Sequence, residues 1–151
     1  MSEPLVFMMG EYEAHFPTDR LYAKNHMWAQ PSSEAFRFGL SAYAVRLLQD
    51  VYFLDITIEP GMILRLKQEI GSIESKKAES SLYSPTAGNV SQLNELLLED
   101  PTPINLDKYG DGWIFELECG REDLVDAEHY LEHLESAWEV AQRTIKGQAN
   151  A

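Results

Sequence analysis

Up to Leu117 the apolar positions of this chain come in short runs broken by Pro, Gly and Ser; from Leu124 onward they fall in steps of three and four. The first pattern reads as strands and turns, the second as one face of a helix. The first 20 residues are only weakly periodic, and Leu5–Met9 fits a strand or a helical turn equally well. Leu21–Gln30 carries strand-like aromatics at Tyr22 and Trp28. Pro31-Ser32-Ser33 then predicts a turn, and Ala35–Leu40 returns as the second arm of a hairpin. Ser41 stands where a helix cap is expected, ahead of a short helix over Ala42–Leu48.

Val51–Ile58 is β-branched and aromatic and predicts a strand that Pro60-Gly61 turns. Ile63–Leu66 and Glu69–Glu74 follow as short extended pieces. Leu82-Tyr83 open another strand before Pro85, Val90–Leu93 form the next, and Trp113–Leu117 the last. In the C-terminal segment Leu124, Ala127, Leu131, Leu134, Trp138, Ala141 and Ile145 form one apolar stripe, with Glu139 and Arg143 as an i,i+4 pair in the favourable order. Six to eight short strands with appended helices give a small β-sandwich or barrel, mainly β with α added.

The chain has 151 residues, enough for one domain with a real core, and 44% of them are apolar. Its formal net charge of −13 argues against nucleic acid and against an anionic membrane surface as partners, since both need clustered Lys and Arg. One cysteine, Cys119, excludes an intramolecular disulfide and fits a reducing compartment. The N-terminus lacks a basic region and a long apolar run, so no secretion signal is expected. The expected location is the cytoplasm, or the mitochondrial matrix if the source is eukaryotic.

Residues 71–90, GSIESKKAESSLYSPTAGNV, read as a strand, a polar tip at Ser75-Lys76-Lys77-Ala78, and a returning strand. A lysine on a tight hairpin tip has an accessible amine and a held backbone, which suits enzymatic modification. The run resembles the lipoylation site of the glycine cleavage H-protein family, with Gly71, Glu74, Ser75, Lys77, Ala78, Ser80, Tyr83, Pro85, Gly88 and Val90 in place without a gap. Downstream, Asn94, Leu97, Pro101, Ile104, Asn105, Tyr109, Gly110, Gly112 and Trp113 fit a second run typical of that family. Upstream, Tyr22, His26 and Trp28 fit its entry motif, and Gly39 and Ala44 a further stretch.

The resemblance implies a flattened β-sandwich of the lipoyl-carrier type with a C-terminal helix. It divides the chain into an N-terminal extension over 1–20, a carrier domain over 21–119 and a helical segment over 120–151 packed on it. It also implies lipoate attached covalently to Lys77, in the hairpin context of Glu74, Ser75 and Ala78. The chain would be a monomeric carrier subunit with no catalytic residues or metal of its own. The implied partners are a pyridoxal-phosphate glycine decarboxylase, an aminomethyltransferase, a dihydrolipoyl dehydrogenase and lipoate-attaching enzymes, with an aminomethyl group as cargo.

Met27, Leu47 and Ser81 stand where the family often has polar or acidic residues. A charged methylamine leaving water needs acceptors. Their loss favours, as a second reading, a lipoyl carrier for another pathway, such as lipoyl relay or lipoate-dependent sulfur oxidation. A third reading is a non-lipoylated interaction module, against which the intact Glu74-Ser75-x-Lys77-Ala78 run argues.

Four weaker features are expected to be structural. His129 and His133 match the H-x-x-E-H form of a zinc-peptidase helix, yet only 18 residues follow to supply a third ligand. Gly110-Asp111-Gly112 reads as a turn before Trp113. His26 is expected to pack beside Trp28, and Cys119 to be an unreactive strand-end residue.

Overall fold

The computed structural model describes residues 3–149. The chain opens on a hairpin, β1 (Leu5–Met9) and β2 (Tyr12–Phe16), turned at Gly10. Next come β3 (Leu21–Ala23), β4 (Met27–Ser32), β5 (Ala35–Leu40), α1 (Ala42–Leu48), β6 (Val51–Ile56), β7 (Ile63–Leu64), β8 (Glu69–Ser75), β9 (Glu79–Tyr83) and β10 (Gly88–Leu93). Two one-turn helices, α2 (Glu95–Glu99) and α3 (Thr102–Leu106), precede β11 (Phe115–Glu118), β12 (Leu124–Val125) and the long α4 (Ala127–Ala149).

Seven strands in the order β12-β3-β4-β5-β11-β10-β7 form one antiparallel sheet. A second sheet, β6-β8-β9, closes over it. The main core lies between them, with Ala29, Phe38, Ile70, Ile73, Phe115 and Leu117 fully enclosed. This is the expected β-rich sandwich with an appended helix.

The larger sheet is buried on both faces where β3 and β4 run. Met27 and Ala29 point into the main core, while Trp28 points the other way into a second, aromatic core. That core holds Phe16, Tyr22, Trp28, Tyr43, Tyr130 and Leu134, contributed by the N-terminal hairpin, the larger sheet, α1 and α4. Tyr22 and Tyr130 stack with ring centroids 4.8 Å apart. The indole of Trp28 lies flat on Gly39, where a Cβ would stand 2.6 Å from the ring; only glycine lets the indole this close. Trp28 Nε1 donates to the Lys108 carbonyl at 2.8 Å, and the Arg20 guanidinium sits 4.9 Å from the ring centroid. Tyr109 ties the layers together: its hydroxyl donates to the His15 carbonyl at 2.6 Å and accepts from the Ala42 amide at 3.0 Å.

Of the two readings open for Leu5–Met9, the strand is the one found, and several other expectations need correction. Tyr12–Phe16 is a further strand that the weak periodicity hid, because only Ala14 and Phe16 are buried. Leu124 belongs to β12 and not to the helical stripe, since it pairs with Ala23 across the sheet. The buried helix positions are Ala127, Tyr130 and Leu134, with Leu131 and Trp138 at the margin. The side chain of Ile145 lies outside the described residues. Val51–Ile58 stops at Ile56, Ile63–Leu66 at Leu64, and the strand expected from Trp113 begins at Phe115. Ser41 does not cap α1 with its side chain; its hydroxyl is 3.0 Å from that of Tyr130. Among the described residues twelve strands replace the expected six to eight, partly through two-residue ladders too short to show in a sequence pattern.

Candidate functional site

β8 and β9 join through Ser75-Lys76-Lys77-Ala78, and both lysines are exposed. The turn is closed from within by Ser75. Its amide donates to the Ala78 carbonyl at 2.9 Å, and its hydroxyl exchanges bonds with the Ala78 carbonyl and amide at 3.1 and 3.2 Å. Ser75 itself is buried. Its value in the pattern is therefore mechanical: one small hydroxyl satisfies the turn's polar groups where water has little access.

The tip is also held from outside. The amides of Lys76 and Lys77 donate to the carbonyls of Gln49 and Leu48, at 3.0 and 3.2 Å. Those carbonyls belong to the open end of α1, whose last turn leaves acceptors unpaired. Gln49 and Asp50 adopt left-handed φ values of 51° and 45°, which swing the chain from α1 into β6. Behind them, the Asn105 carboxamide bonds both backbone groups of Val51, accepting from its amide and donating to its carbonyl, each at 2.9 Å. Val51 pairs with Ser75. A chain of contacts thus runs from α3 through β6 to the lysine tip. Gly71 allows the strand pair to close, since a Cβ there would collide with the Asp55 carbonyl.

Of the expected site residues, Glu74 and Ser75 end β8, Lys77 lies in the turn and Ala78 directly precedes β9. The supports at Leu48, Gln49 and Val51 act through backbone atoms and leave no side-chain signature. Asn105 was visible only as one position in a motif.

A cleft of about 190 Å³ opens beside the tip. Met27, Leu47 and Ser81, the three departures noted in the sequence, all line it, with Leu48, Ile73 and His26. His26 sits at φ 74°, its ring 4.6 Å from that of Tyr43 and its Nδ1 2.9 Å from the Tyr130 hydroxyl. Its ring neighbours are thus Tyr43, Tyr130 and His133 and not the expected Trp28. Burial, with a smaller effect from His133, lowers its pKa from 6.5 to about 4, so it faces the cleft as a neutral ring. Asn25 and Tyr83, bonded Nδ2 to carbonyl at 2.9 Å, separate this cleft from a second cavity of about 640 Å³ and line both.

His129 binds Asp126 at 2.7 Å on the exposed side of α4, whereas His133 stacks on His26. Among the described residues, no three His, Cys, Asp or Glu side chains are grouped as metal ligands. Burial, then the charges of Glu122 and Asp123, raises the Cys119 pKa to about 11, the opposite of what a reactive thiol requires. Gly110-Asp111-Gly112 forms the turn before Trp113. Among the described residues no helix is long and apolar enough to cross a membrane.

A family model described as the glycine cleavage H-protein matches residues 20–144. The chain belongs to the glycine cleavage H-protein family. Among its H-protein relatives, those of Thermus thermophilus and Rubrobacter xylanophilus are each 37% identical to it. They align over 80% and 81% of this chain and 96% and 97% of their own lengths. The crystal structure of the glycine cleavage system H protein of Mycobacterium marinum superposes with a TM-score of 0.70 at 28% identity, covering 80% of this chain and 99% of that one. The β1–β2 hairpin lies before the family match, yet it supplies Met9, Ala14 and Phe16 to the aromatic core.

Proposed function

We propose that this protein is the lipoyl-bearing carrier of a glycine cleavage system, with lipoate joined through an amide to Lys77. The observation that carries the reading is the lysine tip, where an exposed amine stands on a backbone locked by Ser75, Leu48 and Gln49. Lys76 is exposed as well, so being exposed does not choose between them. The choice of Lys77 rests on its place in the family pattern, two residues after Ser75 and directly before Ala78.

The residues present fit the group. Attachment needs only an accessible amine, and a long acyl arm needs a root that does not move with it. When bound, lipoate supplies a disulfide-bearing arm able to take up a one-carbon amine fragment and two electrons. The chain's own task is to hold that root rigid and to offer the cleft beside it. The partners would be a pyridoxal-phosphate glycine decarboxylase, an aminomethyltransferase and a dihydrolipoyl dehydrogenase, which supply the catalytic groups.

The relatives' names favour glycine cleavage over a carrier for another pathway. The test is to combine purified glycine decarboxylase, glycine and the lipoylated protein. Release of CO2 that depends on the protein, and is lost in Lys77→Ala, supports the reading. A lipoylated protein that leaves the decarboxylase inert contradicts it.

A further inference from the structure

The smaller sheet turns an outer face to solvent beside the lysine tip. Across its three strands Phe53, Glu74 and Glu79 stand in one row, because Phe53 pairs with Glu74 and Glu74 with Glu79. A bulge at the start of β6 leaves Tyr52 without a partner in β8, next to Phe53. Tyr52 is 61% exposed and Phe53 48%. Leu106, which follows the Asn105 that clamps Val51, is 80% exposed. Two aromatics and a leucine thus meet solvent within two residues of the Val51–Asn105 contact. Exposed Asp50 and Asp55 flank Tyr52 and Phe53 along the chain, and half-buried Glu74 and exposed Glu79 follow Phe53 across the sheet.

Exposed aromatic anchors with a charged rim are the usual make-up of an interface centre. We propose that Tyr52, Phe53 and Leu106 form the docking patch for the enzyme that acylates Lys77. The proposal rests on Lys77 being the attachment site.

Position selects this occupant. The patch lies at the root of the lysine, with Phe53 opposite a residue three positions from Lys77. An enzyme that acts on the amine has to reach that root. A standard interface covers about 800 Å² per partner, a disc of about 16 Å radius, and so extends over Tyr52 and Phe53. An enzyme that acts on the far end of a long arm does not have to touch the root. Charge narrows the partner further: its apolar recess should be ringed by Lys and Arg to meet the acidic rim.

In the transfer itself, the Lys77 Nζ in its free-amine form bonds to the carbonyl carbon of an acyl–phosphate mixed anhydride. The anhydride C–O bond breaks, the phosphate leaves with its electron pair, and the amine gives up one proton. No oxidation or reduction is involved.

The experiment uses the full chain carrying free Lys77, a purified lipoate-attaching enzyme of the same host, lipoate and ATP. Attachment is followed by mass of the Lys77 peptide. Tyr52→Ser combined with Phe53→Ser should raise the KM for the protein at least tenfold with kcat within twofold, and Leu106→Ser should raise it severalfold. Ile63→Ser, an 80% exposed apolar residue on β7, serves as the remote control and should leave both unchanged. Melting curves show whether each variant is folded, and added salt should raise the wild-type KM as the acidic rim is screened.

An unchanged KM in the folded double variant overturns the patch. So does an effect confined to KM for the decarboxylase, which would assign the patch to an enzyme that visits the arm. Failure of the unaltered protein to be modified at Lys77 overturns the reading beneath the proposal and is distinguishable from both.

Discussion

The Asn105 side chain grips Val51 by both of its backbone polar groups, one residue before the bulge and directly across from Ser75. A carboxamide here stands in for the neighbouring strand that β6 lacks on that edge. Asn105→Ala strands a part-buried amide and carbonyl. The expected cost is about 2 kcal/mol, read as a lower melting temperature. Hydrogen exchange at Ser75–Ala78 should also quicken, since the clamp supports the strand that backs the tip. Asn105→Asp should restore one of the two bonds and recover part of the loss.

The Trp28–Gly39 contact predicts a second cost. Gly39→Ala places a methyl carbon inside the indole, and neither β4 nor β5 can retreat without opening the ladder between them. Overpacking of this kind costs about 1–3 kcal/mol. The lysine tip lies on the other sheet, so the extent of Lys77 modification at 25 °C should be unchanged while thermal stability falls.

His26 predicts the response to acid. Its folded pKa is depressed to about 4 from 6.5, chiefly by burial. Between those values the unfolded chain binds a proton that the folded chain does not, so stability falls as pH drops through that window. The facing groups are Tyr43, Tyr130 and His133. His26→Gln cannot take up the proton, and should flatten the fall in melting temperature between pH 6.5 and 4. An equally steep fall in the variant would remove His26 from the account.

Cys119 predicts slow thiol chemistry. With its pKa raised to about 11 by burial and by Glu122 and Asp123, it should react with iodoacetamide at pH 7 far more slowly than an unfolded control.

Where one face of an element is buried, its period showed in the sequence. The returning strand Ala35–Leu40, the helix over Ala42–Leu48 and the lysine hairpin were legible. The arm expected over Leu21–Gln30 is instead two strands, Leu21–Ala23 and Met27–Ser32, that pair with each other, and the turn expected at Pro31-Ser32-Ser33 falls at Ser33-Glu34. Legibility failed where burial is two-sided or local. β3 and β4 feed both cores, so Tyr22 and Trp28 read as strand aromatics without revealing that a second, aromatic core exists. Tyr130 escaped the helical stripe although its spacing from Ala127 and Leu134 fits it, because the stripe was traced through aliphatic residues and Trp138. α2 and α3 are single turns with one buried side chain each, Leu97 and Ile104, too few to make a period. In the site, the identity of the tip was written in side chains, whereas its supports at Leu48, Gln49 and Val51 are carbonyls and amides that any residue could supply.

The convergence of Met27, Leu47 and Ser81 is visible only in three dimensions. Three departures, far apart along the chain, line one cleft beside the tip.

The central claim is that Lys77 bears the arm, and the most direct measurement is the intact mass of the protein from its native host, followed by peptide mapping. The account predicts a lipoyl increment on Lys77 that disappears in Lys77→Ala and persists in Lys76→Ala. An unmodified Lys77 in a host whose other lipoyl proteins are fully modified, or an increment that survives Lys77→Ala, would contradict it.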